Sequence, residues 1–325
     1  MYQPLTRGRT IRVLALHPPL VSNQRLEITL SEVSLSDANP PCYEAISYVW
    51  GRPQPDQENI DKENSVYSRP CGTFLNITAN CASMLRRLRL AHKDRILWVD
   101  AICINQSDTL EKDAQVAMMG DVYNRARRVI IDIGEASKTS DEALTCLEKV
   151  AYIVVDCQRD ILHSFQSGLW MKEVVNDLYQ RPWFSRIWVL QEAFMAREAV
   201  VMCGTRMVPW WWFRPWRIWI DSTPAWEEEP WHAALPEKIP RAITAGSVAT
   251  NGRYNVRRDL LNVLCQSRSC GATNPRDKVF AVLGMMDEIP PELTPVYGDT
   301  VLDVYVRTAA YLLNTTGLDD WAANL

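Results

Sequence analysis

The sequence predicts an α/β protein with a mainly parallel sheet flanked by helices. Short apolar runs at residues 96–99 and 129–133 indicate strands that are buried on both faces. Between them, apolar residues recur at helical spacing over residues 111–126, which predicts a helix. Strand–helix–strand alternation of this kind is typical of parallel sheets, because a helix usually forms the crossover between parallel strands.

The other elements follow from local patterns. Thr78 is predicted to cap a helix, and Thr139 with Glu142 three residues later forms a capping box that starts a helix through Val155. Residues 54–69 are polar and without pattern, so they are predicted to be an exposed loop. Further strands are predicted at residues 11–16 and 26–33, as a small hairpin or ladder, and at 43–50, 73–77 and 199–202. Further helices are predicted near residues 169–179 and at 253–266, 277–285 and 302–313.

Composition divides the chain into three predicted parts. Residues 1–209 form the core with its N-terminal strands, and residues 251–325 form a helical C-terminal extension packed on that core. Between them, residues 210–250 are rich in tryptophan and proline and are predicted to be an insertion. The tryptophans from Trp210 to Trp231 are interpreted first as an aromatic layer packed over the sheet. A partner-binding face and a sugar- or lipid-binding surface are the alternatives.

Charge and hydropathy exclude several functions. A formal net charge of −4 argues against a general nucleic-acid-binding protein. No stretch approaches the roughly 18 apolar residues of a membrane span, and the N-terminus lacks the basic start and apolar run of a secretion signal. We therefore predict a cytoplasmic protein. The basic clusters are predicted to be solvated helix faces or helix ends: Arg86, Arg87 and Arg89, and Arg125, Arg127 and Arg128.

The cysteines give no evidence of a metal site. Nine are present without CxxC spacing, and the four histidines do not cluster near them. We predict neither a structural metal nor a cofactor. Cys103 lacks a histidine nearby in sequence that would activate it, so a core thiol is favoured over a nucleophile.

The segment at residues 181–204 carries the best catalytic candidate. Trp188, Gln191 and Glu192 are spaced i, i+3 and i+4, so on a helix they share one face. A carboxylate is costly in a plain apolar stripe. If that face points into a cleft, Glu192 is the residue best suited to catalysis. The alternative is a structural salt bridge to Arg181 or Arg186.

Polar and aromatic residues also follow three predicted strands, where ligands of such sheets bind. They are predicted to line one crevice: Tyr48, Trp50 and Gly51; Asp100, Cys103, Asn105 and Gln106; and Gly134 and Glu135. Trp50 stacks on a flat ligand or wedges the sheet against its helices, and the same holds for Trp188. Asp100 orients a ribose hydroxyl or caps the next turn. Asn105 and Gln106 bind a ligand or tie down the loop, and Gly51 permits a positive φ or close ligand approach.

Three blocks resemble the signature of the fungal heterokaryon-incompatibility (HET) domain. They are YEAISYVWG at residues 43–51, LWVDAICINQ at 97–106 and RPWFSRIWVLQE at 181–192. Segments at 115–135, 274–287 and 295–300 are similar to the family's usual continuation. The resemblance extends from about residue 2 to about residue 311 and leaves out the 54–69 loop and the tryptophan-rich segment.

The resemblance implies an effector of fungal non-self recognition, in which fused cells of unlike genotype undergo programmed death. HET domains are remotely similar to TIR domains, which have a flavodoxin-like fold and in some cases cleave NAD. By that analogy Glu192 is catalytic, and NAD is the expected substrate. The other candidates would bind the ligand: Tyr48, Trp50, Gly51, Asp100, Asn105, Gln106, Trp188 and Gln191.

TIR-like enzymes generally act as assemblies, so self-association is expected, together with a protein partner in incompatibility signalling. A second hypothesis is a non-catalytic adaptor that triggers death through protein–protein interaction.

Overall fold

A computed structural model describes residues 2–5, 8–20, 24–37, 42–51, 63–155, 177–213, 260–286 and 289–315. The chain divides into two units. The first contains Met1–Glu135 and Ala196–Thr205, and the second contains Ala136–Met195 and Arg206–Leu325. The predicted division at residues 209 and 250 stays a prediction, because most of the proposed insertion, residues 214–250, lies outside the described residues.

The first unit is built around a large sheet. Its strands lie in the order β5-β4-β2-β1-β6-β3-β7-β8. They are β1 (Thr10–Leu16), β2 (Leu26–Ser34), β3 (Glu44–Ser47), β4 (Ser65–Ser68), β5 (Thr73–Asn76), β6 (Arg95–Trp98), β7 (Arg128–Asp132) and β8 (Ala199–Cys203). β3 pairs in parallel with β6 and β7, and β7 with β8. β1 is antiparallel to both β2 and β6, and β4 is antiparallel to β5. The sheet is therefore mixed, and the prediction of a mainly parallel sheet was wrong.

The N-terminal hairpin supplies most of the antiparallel pairing in the sheet. β1 pairs with β2 along its whole length, from Thr10 opposite Ser34 to Leu16 opposite Ile28. Its other edge pairs with β6, where Leu14 lies opposite Leu97. Almost every residue of β1 is buried, as in an interior strand. The hairpin therefore extends the sheet in the antiparallel sense.

The described end of the predicted 54–69 loop forms a strand. β4 pairs in parallel with β2, with Val66 opposite Leu26. Val66 is fully buried, so pairing and burial of this one valine outweigh the polar composition around it. Residues 52–62 lie outside the described residues.

Four neighbouring strands of the sheet are parallel and have a recognisable order. Across the sheet they lie as β6, β3, β7 and β8, which ranks them 2-1-3-4 along the chain. This is the order of the first four strands of a flavodoxin-like sheet, in which ligands bind between the first and third strands. The corresponding point here is the carboxyl edge between β3 and β7. The TIR- or flavodoxin-like fold as a whole stays a prediction.

Helices of the first unit agree in part with the local signals. They are α1 (Ala79–Leu88), α2 (Asp100–Cys103), α3 (Thr109–Ala117) and α4 (Met119–Arg125). The predicted cap is confirmed, since Thr78 Oγ1 accepts a hydrogen bond from the Cys81 amide at 3.3 Å. The helix predicted over 111–126 is two helices. They divide at Met118, whose amide donates to the Gln115 carbonyl three residues back, the tight pattern of a 3₁₀ turn.

The second unit is mainly helical in its described part. Its elements are α5 (Ser140–Val155), α6 (Val189–Phe194), β9 (Arg206–Pro209), α7 (Leu260–Ser267), α8 (Asp277–Leu283) and α9 (Val301–Thr315), with short 3₁₀ turns at Pro182–Ser185, Trp210–Trp212 and Pro291–Leu293. The predicted helices at 169–179 and 253–266 lie partly outside the described residues.

An aromatic cluster forms part of the interior of this unit. The ring of Trp183 lies 5.0 Å from that of Phe184 and 5.6 Å from that of Trp210, between centroids. Trp210 and Trp212 are buried, so these two residues have the packing role that the first interpretation gives them. The tryptophans beyond Phe213 lie outside the described residues.

Buried and half-buried carboxylates of the first unit are held by arginines. Glu44 lies between Arg95 and Arg128, each with its Nε 2.5 Å from a carboxylate oxygen. Burial by itself would raise the pKa of Glu44, but hydrogen bonds from both arginines outweigh it and hold the pKa below its ordinary value. The same balance holds for the pKa of Glu27, beside Arg25 and Arg69, and for the pKa of Glu111, beside Arg12.

We expect the free energy of unfolding to fall on acidification. A depressed folded-state pKa means that these ion pairs stabilise the fold fully above the ordinary glutamate pKa of 4.5 and lose that effect as the pH falls through the folded-state value. Urea unfolding at a series of acid pH values measures this, and Glu44→Gln should flatten the dependence. The exposed Glu32 of β2 gives the control variant, Glu32→Gln. A dependence that is the same with and without Glu44 would contradict the prediction.

Candidate functional site

The predicted site residues are divided between the two units. Tyr48, Trp50, Gly51, Asp100, Asn105 and Gln106 belong to the first unit, and Trp188, Gln191 and Glu192 belong to the second. In the first unit the groups that follow β3 and β6 meet directly. The indole Nε1 of Trp50 donates to Asp100 Oδ2 at 2.8 Å. This hydrogen bond joins the carboxyl ends of two neighbouring parallel strands, as the strand-end pattern predicts.

The loop after β6 is fixed by its own polar side chains. Asp100 Oδ1 accepts a hydrogen bond from the Ala101 amide at 2.7 Å, and the Asp100 carbonyl accepts one from Gln106 Nε2 at 2.9 Å. The Asn105 side chain accepts from the Ser107 amide at 3.3 Å. These contacts are those expected of residues that tie down a loop. They also hold Asp100 in one orientation at the sheet edge.

Gly51 has the backbone conformation that the sequence predicts. Its φ is +82°, which L side chains rarely adopt, so the predicted positive φ is confirmed. A Cβ atom here would lie 3.1 Å from Asn80 Nδ2, and that amide donates to the Val49 carbonyl. Glycine therefore allows the chain to turn away from β3 while the Asn80 side chain closes over the turn.

Two predicted candidates of the first unit lie in its interior. Tyr48 is 2% exposed, and its hydroxyl contacts the thiol of Cys81. Cys103 is fully buried, and burial raises its pKa to about 12. A thiol with such a pKa stays protonated at neutral pH and is a poor nucleophile. Cys103 is therefore a core thiol, the interpretation that the sequence favours.

An ion-pair cluster that the sequence does not predict lies at the end of β7. Arg87 Nη2 donates to both oxygens of Asp132, at 2.8 and 2.7 Å, and Arg87 Nη1 donates to Ser83 Oγ at 2.7 Å and to Glu135. Burial raises the pKa of Asp132, and the nearby Arg87 charge only partly offsets this. Asp132 also accepts from the Gly134 amide at 3.2 Å. The cluster fixes the turn at the β3/β7 edge.

The second unit places the three predicted residues on one turn. The amides of Gln191 and Glu192 both donate to the Trp188 carbonyl at 3.1 Å, where α6 begins. Gln191 and Glu192 are each 2% exposed, and Trp188 is half-buried. The one-face spacing is therefore realised, on a helix of six residues.

An ion pair of Glu192 with an arginine, the alternative to catalysis, is also present. Arg186 Nη2 lies 4.0 Å from Glu192 Oε1, which is ion-pair distance but too long for a hydrogen bond. Arg181, the other arginine considered, lies 3.6 Å from Asp177. The structure therefore brings Arg186 to Glu192 and pairs Arg181 elsewhere.

The segment before α6 is held by residues from much later in the chain. The Ile187 amide donates to the Gly271 carbonyl at 2.9 Å, and the Gly271 amide donates to the Ser185 carbonyl at 2.5 Å. Lys278 fixes the loop that carries Gly271, because its ammonium group donates to the carbonyls of Arg268 and Cys270. The sequence gives no local signal for these contacts, since the partners lie more than 80 residues apart.

Three further observations concern metal sites, membrane spans and cavities. Among the described residues, no group of three or more His, Cys, Asp or Glu residues is arranged to hold a metal ion. No helix in the described ranges is long and apolar enough to cross a membrane. A mostly apolar cavity of about 380 Å³ lies among α7, α8 and α9, with Val279, Tyr305 and Leu312 in its walls. None of the predicted site residues lines it.

Comparison with known proteins agrees with the sequence blocks. Residues 43–192 match the family described as heterokaryon incompatibility protein (HET). The match begins with the YEAISYVWG block and ends at Glu192. Heterokaryon incompatibility protein 6, OR allele, of Neurospora crassa is 26% identical over 358 aligned positions, which cover 93% of this chain and 52% of that protein. The chain thus spans about half the length of this relative. No solved structure matches the chain. Residues 43–192 of this chain are therefore a heterokaryon-incompatibility (HET) domain.

Proposed function

We propose that this chain is an effector of fungal heterokaryon incompatibility that hydrolyses NAD or a related nucleotide, with Glu192 as its key carboxylate. The incompatibility role is supported by the family match and by the name of the N. crassa relative. Glu192 itself carries the hydrolase proposal. It is a 2% exposed carboxylate at the last residue of the family match, on one turn with Trp188 and Gln191. Burying a charge is costly, so a role beyond packing is favoured.

The chemistry requires a fixed negative charge. Hydrolysis breaks the bond between C1′ of the ribose and the pyridinium nitrogen, and nicotinamide leaves as a neutral molecule with the bonding electron pair. Positive charge develops on the ribose, water adds to C1′, and a proton is released. A carboxylate stabilises this oxocarbenium-like state, as in glycoside hydrolysis. The effect is larger for a buried carboxylate such as Glu192, because the surrounding dielectric is low.

We assign ligand binding in the first unit to the carboxyl end of β3, which lies between β6 and β7. In open α/β sheets with the strand order seen here, ligands bind at the corresponding switch point. Trp50 offers a flat indole face for a base, and Asp100 offers a carboxylate for a ribose hydroxyl. The proposal includes a TIR-like fold for the first unit, and the strand order 2-1-3-4 supports it.

The test is NAD cleavage by the purified protein over a series of concentrations. Nicotinamide release should be lowered at least about 100-fold by Glu192→Ala, since loss of one preorganised electrostatic group costs that much. The exposed Glu198 supplies the control variant, Glu198→Gln, which should remain active. Release per molecule should rise with concentration, because the proposal includes activation by self-association. A folded protein that releases no nicotinamide, or equal release by Glu192→Ala, contradicts the proposal.

The second candidate function is a non-catalytic adaptor that binds a protein partner. The contacts within the first two sequence blocks favour it. Trp50 donates to Asp100, and Gln106 donates to the Asp100 carbonyl, so these side chains serve the fold by binding one another. Under this alternative the blocks form a scaffold and no residue needs to react.

A further inference from the structure

The Gln191 side chain fills the space beside Gly284, so a residue with a Cβ atom does not fit at position 284. A Cβ atom on Gly284 would lie 1.6 Å from Gln191 Nε2 and 2.6 Å from its Cδ. The φ of Gly284 is −67°, a value that every residue adopts, so the backbone does not require glycine here. The requirement is therefore for space beside the Gln191 amide.

The Gln191 amide has little freedom to move away. Gln191 is 2% exposed, and its Oε1 is buried without a hydrogen-bond partner among the described residues. Its backbone is fixed in α6, where its amide donates to the Trp188 carbonyl and its carbonyl accepts from the Met195 amide. Gly284 ends α8, whose residues from Val279 to Leu283 are buried. A methyl group at position 284 must therefore displace the amide or α6 itself.

The buried amide is not explained by stability. A buried acceptor without a donor is unfavourable, and an apolar side chain of similar size would avoid that cost. Gln191 directly precedes Glu192 on the same turn, so whatever fixes the Gln191 side chain also fixes the helix that carries the carboxylate.

We infer that Gly284 is a positioning residue for Glu192. It admits the Gln191 amide and thereby sets the place of α6 within the second unit. This inference rests on the proposed function, in which Glu192 is the reacting carboxylate. Gly284 lies beyond the family match, which ends at residue 192. The working unit therefore extends at least to α8.

Gly284→Ala is expected to lower kcat for NAD cleavage by about 100-fold, since a displacement near 1 Å has effects of this size. KM should change much less. Gln191→Asn withdraws the amide by one methylene, so the double variant Gln191→Asn/Gly284→Ala should recover at least about tenfold over Gly284→Ala alone. Gly298→Ala is the matched control, because its Cβ would meet no atom closer than Val296 Cγ1 at 3.8 Å. This control should keep full activity.

Two results overturn the inference: full activity of Gly284→Ala, or the same loss in the wild-type and Gln191→Asn backgrounds. If the wild-type protein cleaves no NAD, the proposed function fails, and the contact is tested through the free energy of unfolding of the four proteins. Gly284→Ala should then destabilise the wild type more than it destabilises Gln191→Asn. Equal destabilisation overturns the contact. If Gly284→Ala does not fold, recovery of folding in the double variant is the same test.

Discussion

Replacing Arg87 by methionine is expected to lower the free energy of unfolding by about 3–5 kcal/mol, because Asp132 then stays buried without its cation. The two side chains are 10% and 6% exposed and share two hydrogen bonds. Methionine replaces much of the apolar stem of arginine, so the variant separates loss of charge from loss of packing. Urea unfolding of the purified protein measures the difference.

The control is the neighbouring residue on the same helix. Arg86 is exposed and donates to the Glu63 carbonyl, so Arg86→Met should change the free energy of unfolding by no more than about 0.5 kcal/mol. Equal losses for the two variants would contradict the assigned role of Arg87.

The same variant should show a distinctive dependence on pH. Burial raises the pKa of Asp132 even beside Arg87. A raised folded-state pKa favours folding while the carboxyl is protonated, and that contribution is lost as the pH rises through the folded-state value. Without Arg87 the pKa rises further, so the deficit of Arg87→Met should be largest near neutral pH and should shrink in acid. A deficit that does not shrink would show that lost packing is its cause.

Arg86 and Arg87 also show where sequence interpretation ends. They are adjacent, identical and on one helix, and the prediction of a solvated face treats them alike. That prediction is right for Arg86 and wrong for Arg87, because Arg87 meets Asp132 at a separation of 45 residues. Arg89 likewise donates to the carbonyls of His17 and Arg25, both at 2.8 Å. Only tertiary structure distinguishes these neighbours.

Elements set by local chemistry could be predicted, and their partners could not. The buried strands β6 and β7 and the Thr78 cap depend on a few consecutive residues, and each is found within about two residues of its predicted place. The antiparallel edge between β1 and β6 depends on pairing across some 80 residues, which no periodicity encodes. The division at Met118 also lacks a signal, since apolar residues continue at helical spacing through it.

The candidate site also divides into features set by local sequence and features set by distant partners. The positive φ of Gly51 follows from turn chemistry after a strand, and the meeting of Trp50 with Asp100 follows from the geometry of parallel strand ends. Gly284 ends an apolar helix, where glycine is usually interpreted as a C-cap. Its space-giving role depends on Gln191, which lies 93 residues earlier in the chain.

Under the proposed function, expression of this chain in fungal cells should arrest growth, and replacing Glu192 by glutamine is expected to abolish that arrest at unchanged abundance. Glutamine keeps the size of the side chain and its hydrogen-bonding atoms but removes the charge. A loss of about 100-fold in turnover corresponds to about 2.7 kcal/mol of transition-state stabilisation. Growth of cells that express the wild-type or Glu192→Gln chain measures the effect, with protein abundance measured in the same cultures.

Arg186→Gln distinguishes catalysis from the salt bridge. If Glu192 serves only as the ion-pair partner of Arg186, 4.0 Å away, removal of either charge should lower stability alike and should weaken toxicity alike. If Glu192 reacts with substrate, Glu192→Gln should lose toxicity while folded, and Arg186→Gln should retain more of it. A Glu192→Gln chain that stays toxic at equal abundance would instead favour the adaptor, because that hypothesis needs the surface of the domain and not the carboxylate.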